Sequence, residues 1–108
     1  MGRKRIYQHY NLPGTVRVMI QAMIQDYPRR QKLIDANEDI GNEWTCLNVI
    51  IADTVNSCDP ILNNIILSDI INARGYDRSN ATNIASKMTY YNAKRKLIQD
   101  IAEKCNLI

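Results

Sequence analysis

Apolar residues along the chain recur at intervals of three and four, the spacing of one face of a helix. Val16, Met19, Ile20, Met23, Ile24 and Tyr27 set this rhythm first. Leu12-Pro13-Gly14 ahead of them reads as a helix start, because proline suits the first helical position. Pro28 lacks the amide hydrogen that the helical ladder needs, so it bends this helix or opens a new one. Leu33, Ile34 and Ile40 carry the face on. One helical unit is therefore predicted over residues 13–40, broken near Pro28 and ending near Gly41. Residues 42–45 read as a connector. Leu47, Ile50, Ile51, Thr54 and Val55 predict a helix over 46–57, although Val49-Ile50-Ile51 also fits a strand. Asp59-Pro60 is a strong start signal, with Asp as N-cap and Pro at the next position. A wide apolar stripe follows through Ile61, Leu62, Ile65, Ile66, Ile70 and Ala73, with Gly75 the expected C-cap. Residues 76–79 form a polar link. A short helix capped by Ser79 or Asn80 should run to about Lys87, Met88-Thr89 should turn tightly, and a last helix should span 89–105.

Nothing alternates with period two for long, so the expected fold class is all-α. The predicted organisation is a basic N-terminal arm over 1–11 and one small helical domain over 12–108. Within it, 79–105 has the outline of a C-terminal helix-turn-helix.

Charge sharpens this picture. The 108 residues carry a net charge of +3. Residues 1–32 hold seven Lys/Arg against Asp26 alone; 33–73 hold seven acids and no Lys/Arg; 74–96 hold six Lys/Arg against Asp77. Such a chain can neutralise itself by packing its middle on its ends, or it can turn its basic segments towards nucleic acid.

The last helix is where chemistry concentrates. At 100° per residue, Tyr91, Ile98, Ile101, Ala102 and Cys105 fall together as a buried face. Thr89, Asn92, Ala93 and Lys96 fall opposite, with Tyr90, Lys94 and Arg95 on the shoulders. Asn can pair with adenine, Lys or Arg can reach guanine or phosphate, and Thr or Ala can meet a thymine methyl. Asp100 and Glu103 would be repelled by phosphate, so only the first half of the helix suits a major groove. The alternative is a basic face that is merely solvated. Arg3, Lys4 and Arg5 fit an arm in a minor groove or a solubilising tail. Arg29-Arg30-Gln31-Lys32 reads as a solvated helix face, and Trp44 as a packing anchor.

Two segments resemble a known family. Asp26-Tyr27-Pro28-Arg29-Arg30-Gln31-Lys32-Leu33-Ile34 is similar to the Tyr-Pro helix of RinA/ArpU-type phage transcriptional regulators. Residues 89–98, then Ile101-Ala102-Glu103-Lys104 and Leu107-Ile108, resemble their closing helix. The order of parts is also similar, ending in a helix-turn-helix like the promoter-reading part of sigma factors. The usual Gly-containing turn before the last helix is missing here. The resemblance implies a cytoplasmic activator of phage or prophage late genes in a bacterial host, sequence-specific for double-stranded DNA and touching RNA polymerase. DNA contact then falls on Thr89, Tyr90, Asn92, Lys94, Arg95 and Lys96, with Lys87 and Arg78 as phosphate contacts.

Other classes have weaker support. With His9 the only histidine, no Gly-rich phosphate loop and no nucleophile–base spacing, no enzyme can be named. Asp53, Asp59 and Asp69 read as surface or cap residues. Cys46, Cys58 and Cys105 are too few and too widely spaced for a zinc site and read as small apolar residues in a reducing compartment. No cofactor is expected. The longest apolar run, residues 49–52, is far too short to cross a membrane, and the polar start fits neither a signal peptide nor a myristoylation signal. Two non-regulatory readings stay open: a small phage adaptor or inhibitor of a host factor, or a DNA-packaging subunit. The acidic middle can face a basic partner, the polymerase or a second copy in a homodimer, or it can equally neutralise the basic ends within the monomer.

Overall fold

The computed structural model describes residues 12–39 and 41–108. The arm residues Arg3, Lys4 and Arg5 lie outside the described residues, as does Ile40. The described chain is all-helical, with no strand. Five α helices, α1 (Gly14–Gln25), α2 (Tyr27–Asp35), α3 (Glu43–Ser57), α4 (Pro60–Ile71) and α5 (Lys87–Lys104), are joined by short connections. Two 3₁₀ turns, Tyr76–Arg78 and Asn80–Asn83, lead into α5. No described helix is long and apolar enough to cross a membrane.

Local chemistry sets these boundaries. Pro28 does open a new helix, and the break falls at Asp26. α2 ends at Asp35, short of the expected Ile40, because Asn37 adopts a left-handed conformation (φ 59°). The Asn37 and Glu38 amides then bond back to the Ile34 and Leu33 carbonyls, a Schellman closure. α3 begins at Glu43, three residues earlier than predicted. The carboxylate of Asp39 reaches forward to accept from the Trp44 amide (3.2 Å) and from the amide and hydroxyl of Thr45 (both 2.7 Å). These bonds hold Asp39 below the usual carboxylate range, against the opposing effect of burial. α4 starts as the sequence predicts, with Asp59 accepting from the Leu62 amide at 3.3 Å. It ends two residues before the expected Gly75 cap: Ala73 takes the left-handed position (φ 54°), and Gly75 is extended.

The core explains the arrangement. α1, α3 and α4 all pack directly on α5, which lies in their midst. Ile20 and Ile24 from α1, Ile51 and Val55 from α3, and Leu62, Ile66 and Ile70 from α4 meet Tyr90, Leu97, Ile98, Ile101 and Ala102 of α5. Each large apolar side chain taken from water contributes about 1.5–3 kcal/mol.

α2 packs on α3 through a polar hub instead. Arg30, expected on a solvated face, is 3% exposed. Its Nε donates to Asn48 Oδ1 at 2.9 Å, Nη2 donates to the Met23 carbonyl, and Nη1 reaches Asp26 at 3.4 Å. Asn48 in turn donates to the Tyr27 carbonyl and to Gln31 Oε1. Arg29 pairs with Asp26 and lies over the half-buried Trp44 ring, 5.6 Å from its centre.

Candidate nucleic-acid interface

The start of α5 is built by its neighbours. Ser86 caps the helix, its Oγ accepting from the Thr89 amide at 3.1 Å. The short helix expected before it is a single 3₁₀ turn, Asn80–Asn83, capped by Ser79. The tight turn sits at 84–86, so Met88 and Thr89 lie inside the first turn of α5. Three tyrosines fix this corner. The Tyr76 hydroxyl donates to the Ala85 carbonyl (2.6 Å), and the Tyr91 hydroxyl accepts from the Tyr76 amide (3.3 Å). Tyr90 packs edge-on against both of the other rings.

Tyr90 is the main correction to the sequence reading. The sequence puts Tyr90 among the DNA contacts and Tyr91 in the core. The structure reverses them: Tyr90 is 0% exposed and Tyr91 is half-buried. The Tyr90 hydroxyl donates to Asp69 Oδ2 at 2.7 Å, inside the α4–α5 contact. Burial, and then the Asp69 carboxylate, push the Tyr90 phenol far above its ordinary range. Asp69, read as a surface or cap residue, is 1% exposed and also accepts from Arg74 Nε at 3.2 Å. Tyr90 is therefore withdrawn from the surface that could meet a ligand.

The other expected contacts are not equivalent. Lys87, Thr89 and Arg95 are exposed, as is Arg78 on the 3₁₀ turn packed beside α5. Met88, not singled out from the sequence, is 75% exposed among them. Asn92 is half-buried and accepts from Arg95 Nη1 at 3.0 Å. Lys94 turns towards Gln21 and Gln25 of α1 and the end of α4, its ammonium 5.8 Å from the Tyr91 ring centre. Lys96 reaches Asp100 at 2.8 Å, a bond that raises its pKa.

The face chosen from the helical wheel is also less open than a wheel implies. Thr89, Asn92, Ala93 and Lys96 line one side of a cleft of about 310 Å³, and the α3–α4 corner at Ser57, Cys58 and Asp59 lines the other. The open cationic surface is thus shifted towards Lys87, Met88 and Arg95. Arg17 adds to it from α1, sharing a cavity with Arg95. Arg17 sits in the first turn of α1 and Lys87 begins α5, and neither first turn carries an acid. Cations there oppose the helix dipole.

The acidic middle does little to neutralise this surface. Among the described residues, Arg74–Asp69 is the one ion pair joining residues 74–96 to residues 33–73. Asp35, Glu38 and Glu43 stay exposed around the α2–α3 corner. The three cysteines are free; Cys46 and Cys58 are exposed, not packed as small apolar residues. The described residues hold no cluster of His, Cys, Asp and Glu placed to bind a metal. No family model, curated protein or solved structure matches the chain.

Proposed function

We propose that the protein is a DNA-binding transcriptional regulator that presents the first turns of α5 to double-stranded DNA. One observation carries this reading. The Ser86-capped start of α5 exposes Lys87, Met88, Thr89 and Arg95, with Asn92 between them, and its first acid is Asp100. Arg78 and Arg17 flank that surface from neighbouring elements. Phosphate neutralisation would supply most of the affinity, and Asn92 and Thr89 at the cleft edge would supply choice among base pairs. The resemblance of residues 26–34 and 89–98 to RinA/ArpU-type regulators supports a phage or prophage late-gene activator among such regulators.

Fluorescence anisotropy with labelled duplexes across a salt series tests this. A regulator binds one upstream fragment far more tightly than random DNA, with a steep salt slope. Equal, salt-sensitive binding to every duplex, together with a large ring in solution, indicates a packaging subunit. No binding at low salt overturns the reading.

A protein-binding adaptor is the second reading, and exposed apolar side chains favour it. Ile84 (55% exposed) and Met88 (75%) stand one helical turn apart in sequence at this corner, and Val18 (66%) projects from α1. A stoichiometric protein partner retained without DNA would establish it.

A further inference from the structure

Met88, the most exposed large apolar side chain among the described residues, stands in the first turn of α5. Ser86 supplies the cap of that turn, and the core does not include Met88. We infer that Met88 reads the 5-methyl group of a thymine in the major groove, and so makes a T·A pair part of the sequence that the protein selects. The inference rests on the DNA-binding reading and adds a base identity to it.

The surroundings of Met88 favour DNA over an apolar protein partner. Lys87 precedes it, Arg78 is exposed on the 3₁₀ turn packed beside α5, Arg95 is exposed two turns on, and the first acid of α5 is Asp100. An apolar partner closing over Met88 would strip water from these cations and return no charge. A DNA groove is bordered by phosphates on both sides, so the cations are compensated while the thioether is buried.

The chemistry of the groove then selects the base. Base edges there present hydrogen-bond donors and acceptors, and the apolar exception is the thymine C5 methyl. Methionine has no hydrogen-bond donor, and its sulfur is only a weak acceptor. Set against cytosine, it would cover the N4 amino group and leave that donor without water. Set against thymine, it buries methyl on thioether, and its unbranched, polarisable chain adapts to the surface it meets.

Spacing places that thymine relative to the other contacts. Met88, Asn92 and Arg95 stand at i, i+4 and i+7, one line along α5. Asn92 Oδ1 accepts from Arg95 Nη1 along this line. At about 1.5 Å of rise per residue, Met88 and Asn92 are about 6 Å apart along the axis, close to two base-pair steps of about 3.4 Å. The thymine therefore falls about two pairs from the one that Asn92 meets, towards the N-terminus of α5.

The test begins with the full chain selecting from a randomised duplex pool, which supplies its tightest-binding duplex as the probe. Anisotropy is then measured on that duplex and on copies in which each dT in turn is replaced by dU, a change that removes one methyl group and keeps every hydrogen bond. One dU position should weaken wild type about fourfold, the contribution of one buried methyl group. Met88→Ala should weaken binding to the dT duplex at least as much and lose its sensitivity to that dU, so that both changes together cost no more than the variant alone. Met88→Leu, which keeps an apolar tip, should retain the dU effect. Because Met88 is exposed, both variants should keep the urea midpoint of wild type. Binding that ignores every dU, or a dU effect that persists in Met88→Ala, overturns the inference and leaves the regulator reading standing. Binding to no duplex at low salt removes both.

Discussion

The hydroxyl of Tyr90 donates to the carboxylate of Asp69 across the α4–α5 contact at 2.7 Å, with both side chains closed to solvent. This bond links the first turn of α5 to α4. Tyr90→Phe should cost about 1–3 kcal/mol, since a buried carboxylate loses a donor and gains nothing. Tyr91→Phe, at a half-buried site, should cost less. Urea unfolding of the two variants checks the order; equal losses would show that the Asp69 bond adds nothing.

Lys96 and Lys87 should behave differently on DNA, although the sequence places both on the same helix. Lys96 is already paired with Asp100, while Lys87 is exposed. Lys87→Ala and Arg95→Ala should each lower the salt slope by about one, with little change for Lys96→Ala. Asp100→Asn should raise affinity by releasing Lys96. Asn92→Ala should reduce discrimination between target and random duplex by about 1–3 kcal/mol. Anisotropy on matched duplexes measures all five variants.

Ala73 closes α4 at φ 54°, where a Cβ crowds the following carbonyl. Ala73→Gly should therefore stabilise the fold, by about 0.5–1 kcal/mol. The denaturation midpoint should rise without a change in slope. A fall would mean that the alanine methyl contributes packing that outweighs the strain.

Two carboxylates make acid stability predictable. Arg29's hydrogen bond leads the downward shift at Asp26, and Thr45's bonds carry Asp39 below the ordinary 3.8 despite burial. A carboxyl with a depressed pKa adds stability that is present above its unfolded value and lost as pH falls through the folded one. The loss should therefore begin near the ordinary carboxylate range and deepen below it. Asp26→Asn or Asp39→Asn should flatten the fall in the urea midpoint as pH drops from about 5 towards about 2.

Short-range signals in the sequence located much of the fold. Asp59-Pro60 announced α4 because cap and helix are contiguous, and Pro28 announced the break before α2. Asp39 was invisible as a cap because it acts from beyond the usual N-cap position, through Trp44 and Thr45. Gly75 drew attention from Ala73, since glycine is the ordinary left-handed residue and the chain closed α4 two residues sooner. The wheel misjudged α5 for a different reason. It assumes one buried face, whereas α1, α3 and α4 surround this helix and turn Tyr90 and Leu97 inward as well. Asp69 looked like a surface acid because its partner lies 21 positions away in the sequence, and the Arg17–Arg95 cavity depends on α1 and α5 packing together, which no local pattern encodes.

The placement of α5 at the centre of the bundle also limits how the protein can diversify. A helix lying on the surface of its domain can change most of its outward residues at little cost. Here Tyr90, Leu97, Ile98, Ile101 and Ala102 are committed to the interior, and Lys94 and Lys96 are turned towards neighbouring elements. New binding preferences would have to be written at Lys87, Met88, Thr89, Asn92 and Arg95. A saturation library across α5 should thus show a narrow alphabet at the first group and a broad one at these five, so that heritable variation in target choice is confined to a vocabulary of a few letters.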